Sequence, residues 1–475
     1  MFFDNLLNRP ALAAKEAPSS MPVSPARAAA FRILQQVEAG NKFAVDLLQS
    51  ARVSSLKEAD RKLATGLVMG VLRWRGDLDH EIETLSGKQL QYFDAEVIEI
   101  LRMGVFQIRH LEGVPKRAAV NESVELVKTA RKRSAAGLVN AVLRKCTESP
   151  LSGRREYLEA ARRSTPSWMY ARWQRNFGQD RADSIALASQ SVPRTCIRLK
   201  GRTGTIGAAD GSGSRQALQL ELEREQVRTT LGKYARRALW VESGSVFSSA
   251  AWREGRAVIQ DEASQLVAEV VKAEPGQSVL DLCAAPGMKA SQMAEDMREG
   301  AIVACDRSLR RMGILNRIIH TGWPGGVRLL KVMLDAGRPL PFSVLFDRVL
   351  VDAPCSGTGT LARNPEIKWR LRPKDISILA ERQTRILQHG LELLAHRGRL
   401  IYSTCSLEPE ENEVVVAKAL DTFPGYRKLT AEELRAEFPA FAELFGDDGA
   451  FRTQPGEQPM DGFFAAVLMR DEKGL

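Results

Sequence analysis

The chain has 475 residues, of which 44% are hydrophobic and 27% charged, a composition typical of a globular protein with two to four domains. It contains no run of about 18 apolar residues and no basic, apolar leader at its start, so neither a membrane span nor a secretory signal is expected. The formal net charge of +10 favours a polyanionic partner, although a modest basic excess is also common on solvated surfaces.

The six cysteines form no CxxC pair, and the five histidines show no metal-ligand spacing. A chain of this size does not need disulfides to support its core, so reduced thiols and a cytoplasmic location are expected. The same spacings predict no metal site.

The first half of the chain is predicted to be helical. Residues 1–24 are rich in Ala, Pro and Ser and are predicted to form a flexible tail. Residues 25–148 carry apolar side chains at helical spacing and predict an all-α bundle of about six helices. A basic window on its last two helices is either a phosphate-contacting patch or a solvated helical face. Its basic residues, set against only Glu122 and Glu125, are Lys116, Arg117, Lys128, Arg131, Lys132, Arg133, Arg144 and Lys145.

Residues 149–258 predict a connector followed by a small α+β module. Residues 194–199 favour a strand, residues 201–215 a flexible loop rich in Gly, Ser and Thr, and residues 217–225 a helix.

Residues 259–475 alternate between apolar runs and amphipathic segments, which predicts a mostly parallel sheet with helices on both faces. A late apolar run, Phe463–Leu468, is expected to add an antiparallel strand at one edge. The predicted strands are 279–283, 302–306, 327–332, 350–353 and 399–404, and the predicted helices are 290–297, 309–320 and 374–394.

Four aspartates follow successive predicted strands: Asp281, Asp306, Asp335 and Asp352. Open α/β sheets bind ligands at this edge, and a carboxylate such as Asp306 can accept both ribose hydroxyls of a nucleoside. Asp306 could instead cap the following helix. A dehydrogenase would use the same acid, but the GxGxxG spacing that binds its pyrophosphate is missing. S-adenosylmethionine (SAM) has no pyrophosphate and does not need that turn.

Two thiols, Cys355 and Cys405, come directly after predicted strands at the same edge. A thiolate that adds to C6 of cytosine makes C5 nucleophilic enough to accept a methyl group. Asp352 could supply the proton or hydrogen bond at N3, and Cys355, or a water that it positions, could serve as the base that completes the reaction. The residues alone do not decide which thiol attacks. The other cysteines are predicted to be buried or incidental, and they are Cys146, Cys196, Cys283 and Cys305.

Three segments, 281–287, 352–357 and 402–406, read DLCAAPG, DAPCSG and YSTCS and together resemble the RNA 5-methylcytosine methyltransferases. The helical half is similar to the NusB-like RNA-binding domain, and bacterial small-subunit ribosomal RNA methyltransferases pair these two halves. Further segments that match the family are Gln260–Ser264, Arg363–Trp369, Glu410–Glu413, Pro455–Gly456 and Asp461–Phe464.

The resemblance implies roles for individual residues. Cys405 would be the nucleophile and Cys355 the residue that assists release. Asp352 would face both the cofactor and the target base, and Lys289 would lie near the target or near Asp352. The implied SAM-binding residues are Cys283, Ala284, Ala285, Pro286, Gly287, Met288, Lys289, Asp306, Asp335 and Asp352. One departure is Met288, which stands where the family usually has a second glycine.

The resemblance therefore implies a class I, Rossmann-like, SAM-dependent methyltransferase that acts as a cytoplasmic monomer on C5 of a cytosine in small-subunit (16S) ribosomal RNA, through a covalent cysteine–C6 adduct. Methylation of transfer RNA or another RNA would use the same site. A non-catalytic RNA-binding or antitermination factor is the rival from another class, but it would have no use for the acids and thiols.

Overall fold

The computed structural model describes residues 23–40, 42–148, 154–201, 212–320 and 322–471. The chain divides into two compact units, residues 1–153 and 154–475. The predicted tail lies almost wholly outside the described residues, and the boundaries predicted at 24, 148 and 258 stay predictions. No helix in the described ranges is both long and apolar enough to cross a membrane.

The first unit is all helical, as predicted, with seven α-helices in its described part. Two of them, α2 and α3, are single turns that the helical periodicity did not reveal. The helix α5 is buried along most of its length and packs against α1, α4, α6 and α7. The helices are α1 (Pro25–Glu38), α2 (Ala44–Leu48), α3 (Ala51–Ser54), α4 (Glu58–Ser86), α5 (Ala95–His110), α6 (Lys116–Thr129) and α7 (Ala136–Glu148).

The contact between α4 and α5 depends on a glycine. A Cβ atom added at Gly70 would lie 1.9 Å from Cζ of Phe106, so the aromatic ring occupies the space that any other side chain would need. One turn earlier on the same helix, a Cβ at Gly66 would meet nothing within 4 Å. Gly70 therefore serves close packing, whereas Gly66 does not.

The basic window lies on α6, α7 and the turn between them. Seven of its eight basic residues are exposed. The eighth, Lys132, is partly buried and pairs with Asp94 at 3.0 Å and Glu96 at 3.6 Å. Exposed cations are compatible with RNA binding, which stays a prediction.

The second unit begins with three helices and a four-stranded antiparallel sheet in the order β2-β3-β1-β4. Of these four strands, only β1 was predicted. The predicted loop is wrong at its end, because α11 already begins at Ser212; residues 202–211 lie outside the described ranges. The elements are α8 (Arg154–Arg163), α9 (Ser167–Phe177), α10 (Gln179–Gln190), β1 (Thr195–Leu199), α11 (Ser212–Arg224), β2 (Arg228–Leu231), β3 (Ala238–Ser243), α12 (Ala250–Arg253) and β4 (Ala257–Ile259).

The rest of the unit is built on an eight-stranded sheet in the order β10-β12-β9-β8-β5-β6-β7, with β11 paired to β12. Its strands are β5 (Ser278–Asp281), β6 (Glu299–Asp306), β7 (Gly326–Met333), β8 (Phe346–Asp352), β9 (Leu394–Thr404), β10 (Tyr426–Lys428), β11 (Phe451–Thr453) and β12 (Phe463–Arg470). Its helices are α13 (Glu262–Val271), α14 (Met288–Met297), α15 (Leu309–His320), α16 (Ile367–Arg370), α17 (Pro373–Glu392), α18 (Glu413–Thr422) and α19 (Ala431–Glu437).

The sheet confirms the predicted fold class. Strands β9, β8, β5, β6 and β7 are parallel, and their central residues, such as Leu280, Val349 and Leu400, are fully buried. Burial on both faces explains the continuous apolar runs in the sequence. The late strand β12 is antiparallel as predicted, but it is not the edge strand, because the short β10 pairs with its outer side.

The strand order creates one crevice. From β5 the chain adds β6 and β7 on one side of the sheet, and then returns to add β8 and β9 on the other. Connections on either side of such a switch point diverge and leave a crevice at the carboxyl ends of the two central strands, which is where α/β sheets bind ligands. In this chain the crevice lies beyond the ends of β5 and β8.

Candidate active site

The four aspartates predicted at the carboxyl ends of the strands are found at or near those ends. Asp281, Asp306 and Asp352 are the last residues of β5, β6 and β8, and Asp335 follows β7 by two residues. Asp306, Asp335 and Asp352 line a cavity of about 230 Å³ in the crevice. Asp281 does not line this cavity but lines a second one, of about 280 Å³.

Asp306 both stabilises the turn before a helix and lines the first cavity. Its carboxylate accepts the backbone N–H of Ser308 at 2.8 Å, just before α15 begins, and it also lines the first cavity. Arg311 lies 3.4 Å from the same carboxylate and donates to the carbonyl oxygen of Ala285. This arginine, which the sequence analysis missed, links the loop after β5 to the end of β6.

Asp335 is held in a tight turn. It accepts the N–H of Gly337 at 3.1 Å and a guanidinium N–H of Arg382 at 2.9 Å. Burial alone would raise the pKa of Asp335, but these two hydrogen bonds, together with the charges of Arg382 and Arg307, outweigh it and lower the pKa below its ordinary value.

The loop after β5 borders both cavities. Cys283 lines both cavities, and Gly287 lines neither. Gly287 has a φ of 108° and precedes α14, so Met288 takes the first helical position and needs no unusual backbone conformation. The remaining predicted cofactor residues of this loop line the second cavity: Ala284, Ala285, Pro286, Met288 and Lys289.

Lys289 and Asp352 form an ion pair across the crevice. The Nζ atom of Lys289 lies 2.7 Å from Oδ2 of Asp352 and 5.1 Å from the ring centroid of Phe463. The other carboxylate oxygen of Asp352 accepts the hydroxyl of Ser403 at 2.9 Å. Asp352 is therefore fixed in orientation from both sides, and it lines both cavities.

The two thiols singled out in the sequence, Cys355 and Cys405, are in contact. The Sγ atoms of Cys355 and Cys405 are 3.3 Å apart, and both residues are partly exposed. The hydrogen bond between the sulfurs, together with burial, holds the pKa of Cys355 well above its ordinary value. Cys405 lines both cavities, whereas Cys355 lines only the first.

The other cysteines differ in burial. Cys305 is buried, as expected, and Cys146 and Cys196, which the sequence left as incidental, are buried too. Cys283 is only partly buried and lines both cavities, which differs from the buried position expected for it from the residues alone.

The second cavity contains an arginine between two carboxylates. Arg363 lies 2.8 Å from Asp261 and 2.9 Å from Asp461. Burial and the nearby charge of Asp261 raise the pKa of Asp461 above its ordinary value, against the effect of Arg363. All three residues fall in segments that the sequence analysis quoted without a role, so the motif was the only signal that could have found them.

Asp281 is the most strongly shifted acid at the site. It is buried, and Cys283 donates its backbone N–H to it at 3.3 Å. Burial, followed by the charge of Asp352, raises the pKa of Asp281 to about 8. Asp281 is therefore mostly protonated at neutral pH. In the described ranges, no group of three or more His, Cys, Asp or Glu side chains is arranged to hold a metal ion.

Comparison with known proteins gives two family matches. Residues 268–469 match the family described as 16S rRNA methyltransferase RsmB/F, and residues 24–148 match the NusB family. Ribosomal RNA small subunit methyltransferase B of Thermus thermophilus is 32% identical over 94% of this chain and 97% of its own length.

Two solved structures share the fold. The crystal structure of PH0851 matches with a TM-score of 0.75 at 23% identity, covering 95% of this chain and 100% of that one. The structure of NSun6 from Pyrococcus horikoshii with SFG matches with a TM-score of 0.54 at 19% identity, over 64% of this chain and 98% of that one.

Proposed function

Because the chain belongs to the RsmB/F family of 16S rRNA methyltransferases and carries a NusB-family region ahead of the catalytic part, we propose that it methylates C5 of a cytosine in small-subunit ribosomal RNA. SAM is the methyl donor, and the reaction passes through a covalent bond between Cys405 and C6 of the base. The enzyme acts as a monomer, and its ribosomal RNA substrate places it in the cytoplasm.

The observation that carries this proposal is the pair of sulfur atoms 3.3 Å apart beside Asp352. An enzyme that methylates a nitrogen or an oxygen has no need of a nucleophilic thiol, because those atoms already carry a lone pair. A pyrimidine C5 does need one, because it becomes nucleophilic only after addition at C6. Two adjacent thiols fit a reaction in which a carbon–sulfur bond forms and is later broken.

The first cavity fits SAM by the chemistry of its lining. Asp306 offers a carboxylate to the two ribose hydroxyls, and Asp335 offers polar contacts on the adenine side. Apolar side chains, Leu334 and Ile386, can cover the faces of the purine ring. When bound, SAM supplies an electrophilic methyl group. The residues that line both cavities mark where that group would meet the base: Cys283, Asp352, Cys405 and Phe463.

The target base would enter the second cavity, out of any helical stack, because C5 and C6 are otherwise inaccessible. Cys405 is the better nucleophile of the pair, since it borders that cavity and Cys355 does not. Asp352 is held by Lys289 and Ser403, and in its protonated form it donates to N3 the hydrogen bond that makes the ring accept the thiolate.

Release of the product needs two events. The proton on C5 must leave to a base, and the bond between C6 and the sulfur of Cys405 must break. The raised pKa of Cys355 keeps it a thiol at neutral pH. As a thiol it can donate a hydrogen bond to the departing sulfur and position the water that takes the C5 proton.

The basic window on α6 and α7 would add phosphate contacts that position the RNA without reading its sequence. Such contacts weaken as salt concentration rises, so RNA affinity should be salt dependent.

The test is methyl transfer from radiolabelled SAM to unmodified 16S ribosomal RNA by the purified full-length chain, followed by bisulfite sequencing. One protected cytosine, absent from RNA of a deletion strain, is the expected result. Label incorporated into transfer RNA alone would overturn the choice of substrate. Label on a nitrogen or oxygen would overturn the chemistry, and absence of SAM binding in calorimetry would overturn the enzyme itself.

A further inference from the structure

A fully buried glutamate lies directly behind the two thiols. Glu411 follows β9 in the loop before α18, six residues after Cys405, and its relative exposure is 0%. The neighbouring Glu410 has a side chain that is 44% exposed and pairs with Arg172. A buried carboxylate is costly unless its oxygens accept hydrogen bonds, so the partners of Glu411 need an explanation.

Four donors converge on this carboxylate. The backbone N–H of Ser356 at 2.9 Å and the amide of Gln383 at 2.8 Å donate to Oε1. The hydroxyl groups of Ser356 and Ser406 both donate to Oε2, the latter at 2.5 Å. Tyr402 also fixes the loop, by donating its hydroxyl to the backbone carbonyl of Glu411 at 2.5 Å.

The donors are the immediate neighbours of the thiols. Ser356 follows Cys355, and Ser406 follows Cys405. Gln383, on α17, in addition donates to the carbonyl of Pro354 at 3.0 Å, on the other side of Cys355. A single side chain is thus bonded to the turn that carries each sulfur.

We propose that Glu411 is a positioning residue that sets the separation of the two sulfurs, and so couples attack by Cys405 to release assisted by Cys355. The geometric part of this inference needs no assumption about the reaction. Its catalytic part rests on the proposed function.

The chemistry of the four donors requires a carboxylate. A glutamine could place its amide oxygen at Oε1 to accept the two N–H groups. Its NH₂ group would then face the two serine hydroxyls, and Ser406 is already an acceptor for the N–H of Glu408 at 3.0 Å. Glu411→Gln therefore keeps the volume of the side chain and the two N–H bonds at Oε1, while it disrupts the bonds from the two serine hydroxyls, one on each turn.

The sulfur separation can be measured with phenylarsine oxide, which condenses with two adjacent thiols to form a cyclic dithioarsenite and releases water. The full-length chain and the control Glu410→Gln should each bind one arsenical across Cys355 and Cys405, located by peptide mass spectrometry and abolished by Cys355→Ser. Glu411→Gln should bind it at least about 10-fold more weakly, since hydrogen bonds to a charged group hold the pair. Equal arsenical affinity in Glu411→Gln and the wild type would overturn the inference.

The catalytic consequence is measured with a 16S ribosomal RNA fragment. Glu411→Gln should accumulate a denaturant-stable protein–RNA adduct relative to the wild type, because release depends on Cys355 more than attack does. A variant that is merely less stable would lose adduct and product together. If Glu411→Gln does not fold, two other variants test the same inference. Ser356→Ala removes a hydroxyl donor to Glu411 and Gln383→Leu removes an amide donor, so each should weaken arsenical binding. Unchanged binding in both variants would refute the inference.

The two readouts separate the two proposals. Loss of arsenical binding in Glu411→Gln, combined with a wild type that methylates no RNA, would support the positioning role and reject the proposed function. Unchanged arsenical binding in Glu411→Gln, combined with a wild type that methylates the RNA, would reject the positioning role and support the proposed function.

Discussion

The sulfur atoms of Cys355 and Cys405 lie 3.3 Å apart, although 50 positions separate the two residues in the chain. The cause is the register of two neighbouring parallel strands, in which Asp352 on β8 pairs with Ser403 on β9. The turns that follow these strands start at the same height, so their thiols converge. A disulfide bond would need about 2.05 Å, so the pair is in contact and reduced.

Replacing either thiol should divide the reaction into its two halves. Cys405→Ser should lower methyl transfer by at least about 10³-fold, because the attacking group is lost, and should leave SAM affinity unchanged. Cys355→Ser should form an RNA adduct that survives denaturing electrophoresis. Cys146→Ala, in the other unit, serves as the control and should behave as the wild type. An adduct with Cys405→Ser and none with Cys355→Ser would reverse the two assignments.

Asp306→Asn should weaken SAM binding. The amide oxygen can still accept the N–H of Ser308, so the turn before α15 is retained. The negative charge that would accept two ribose hydroxyls is lost, and the dissociation constant measured by calorimetry should rise by about 10- to 100-fold. Asp180→Asn, a change at an exposed position on α10, should leave it unaltered. Equal affinities for Asp306→Asn and the wild type would remove Asp306 from the cofactor site.

Asp281 should make stability depend on pH. An unfolded aspartate ionises near pH 3.9 (about that of a model peptide), whereas the pKa of Asp281 in the folded chain is raised to about 8. Between these values the folded state keeps a proton that the unfolded state has released, so raising the pH lowers the free energy of unfolding. Asp281 can contribute up to about 1.4 kcal/mol per pH unit to that slope.

Urea unfolding at several pH values between 5 and 8 would measure the effect. Asp281→Asn should show a shallower decline in stability with pH than the wild type, and the exposed Asp421→Asn should show the same decline as the wild type. Parallel curves for Asp281→Asn and the wild type would contradict the prediction.

The two glycines of α4 should respond oppositely to alanine. Gly70→Ala drives a methyl group into Phe106 and should destabilise the helical unit by about 1–3 kcal/mol. Gly66→Ala meets open space and should stabilise it by about 0.5–1 kcal/mol. Adding Phe106→Leu to Gly70→Ala should recover part of the loss. Denaturant unfolding of the full chain measures all three, and equal effects at the two glycines would refute the packing argument.

The sequence predicted the parallel strands because burial on both faces leaves long apolar runs. It also predicted that Asp306, Cys355 and Cys405 lie at the carboxyl edge of the sheet, because each comes at or just after the end of such a run. Of the short antiparallel strands, only β1 was predicted. β10, for example, is Tyr426–Lys428, three partly buried residues with no apolar pattern. Strands of this kind are defined by their partners and not by their own composition.

Side-chain direction in loops was also beyond reach. Glu410 and Glu411 are chemically identical neighbours, yet one is 44% exposed in its side chain and the other is fully buried. Nothing in their spacing distinguishes them, because the difference arises from Ser406 earlier in the same loop and from Ser356 in the turn after β8. Arg311 was overlooked, and Arg363 was given no role, for the same reason, since the partners at Ala285 and Asp261 are distant in the chain.

The residues that line both cavities have a practical meaning for inhibitor design. A compound that joins a nucleoside analogue to a pyrimidine across Cys283 and Phe463 would present one end to Asp306 and the other to Arg363. The nucleoside end alone resembles what many unrelated methyltransferases accept. Selectivity for this enzyme would come from the pyrimidine end and from the thiols at the junction.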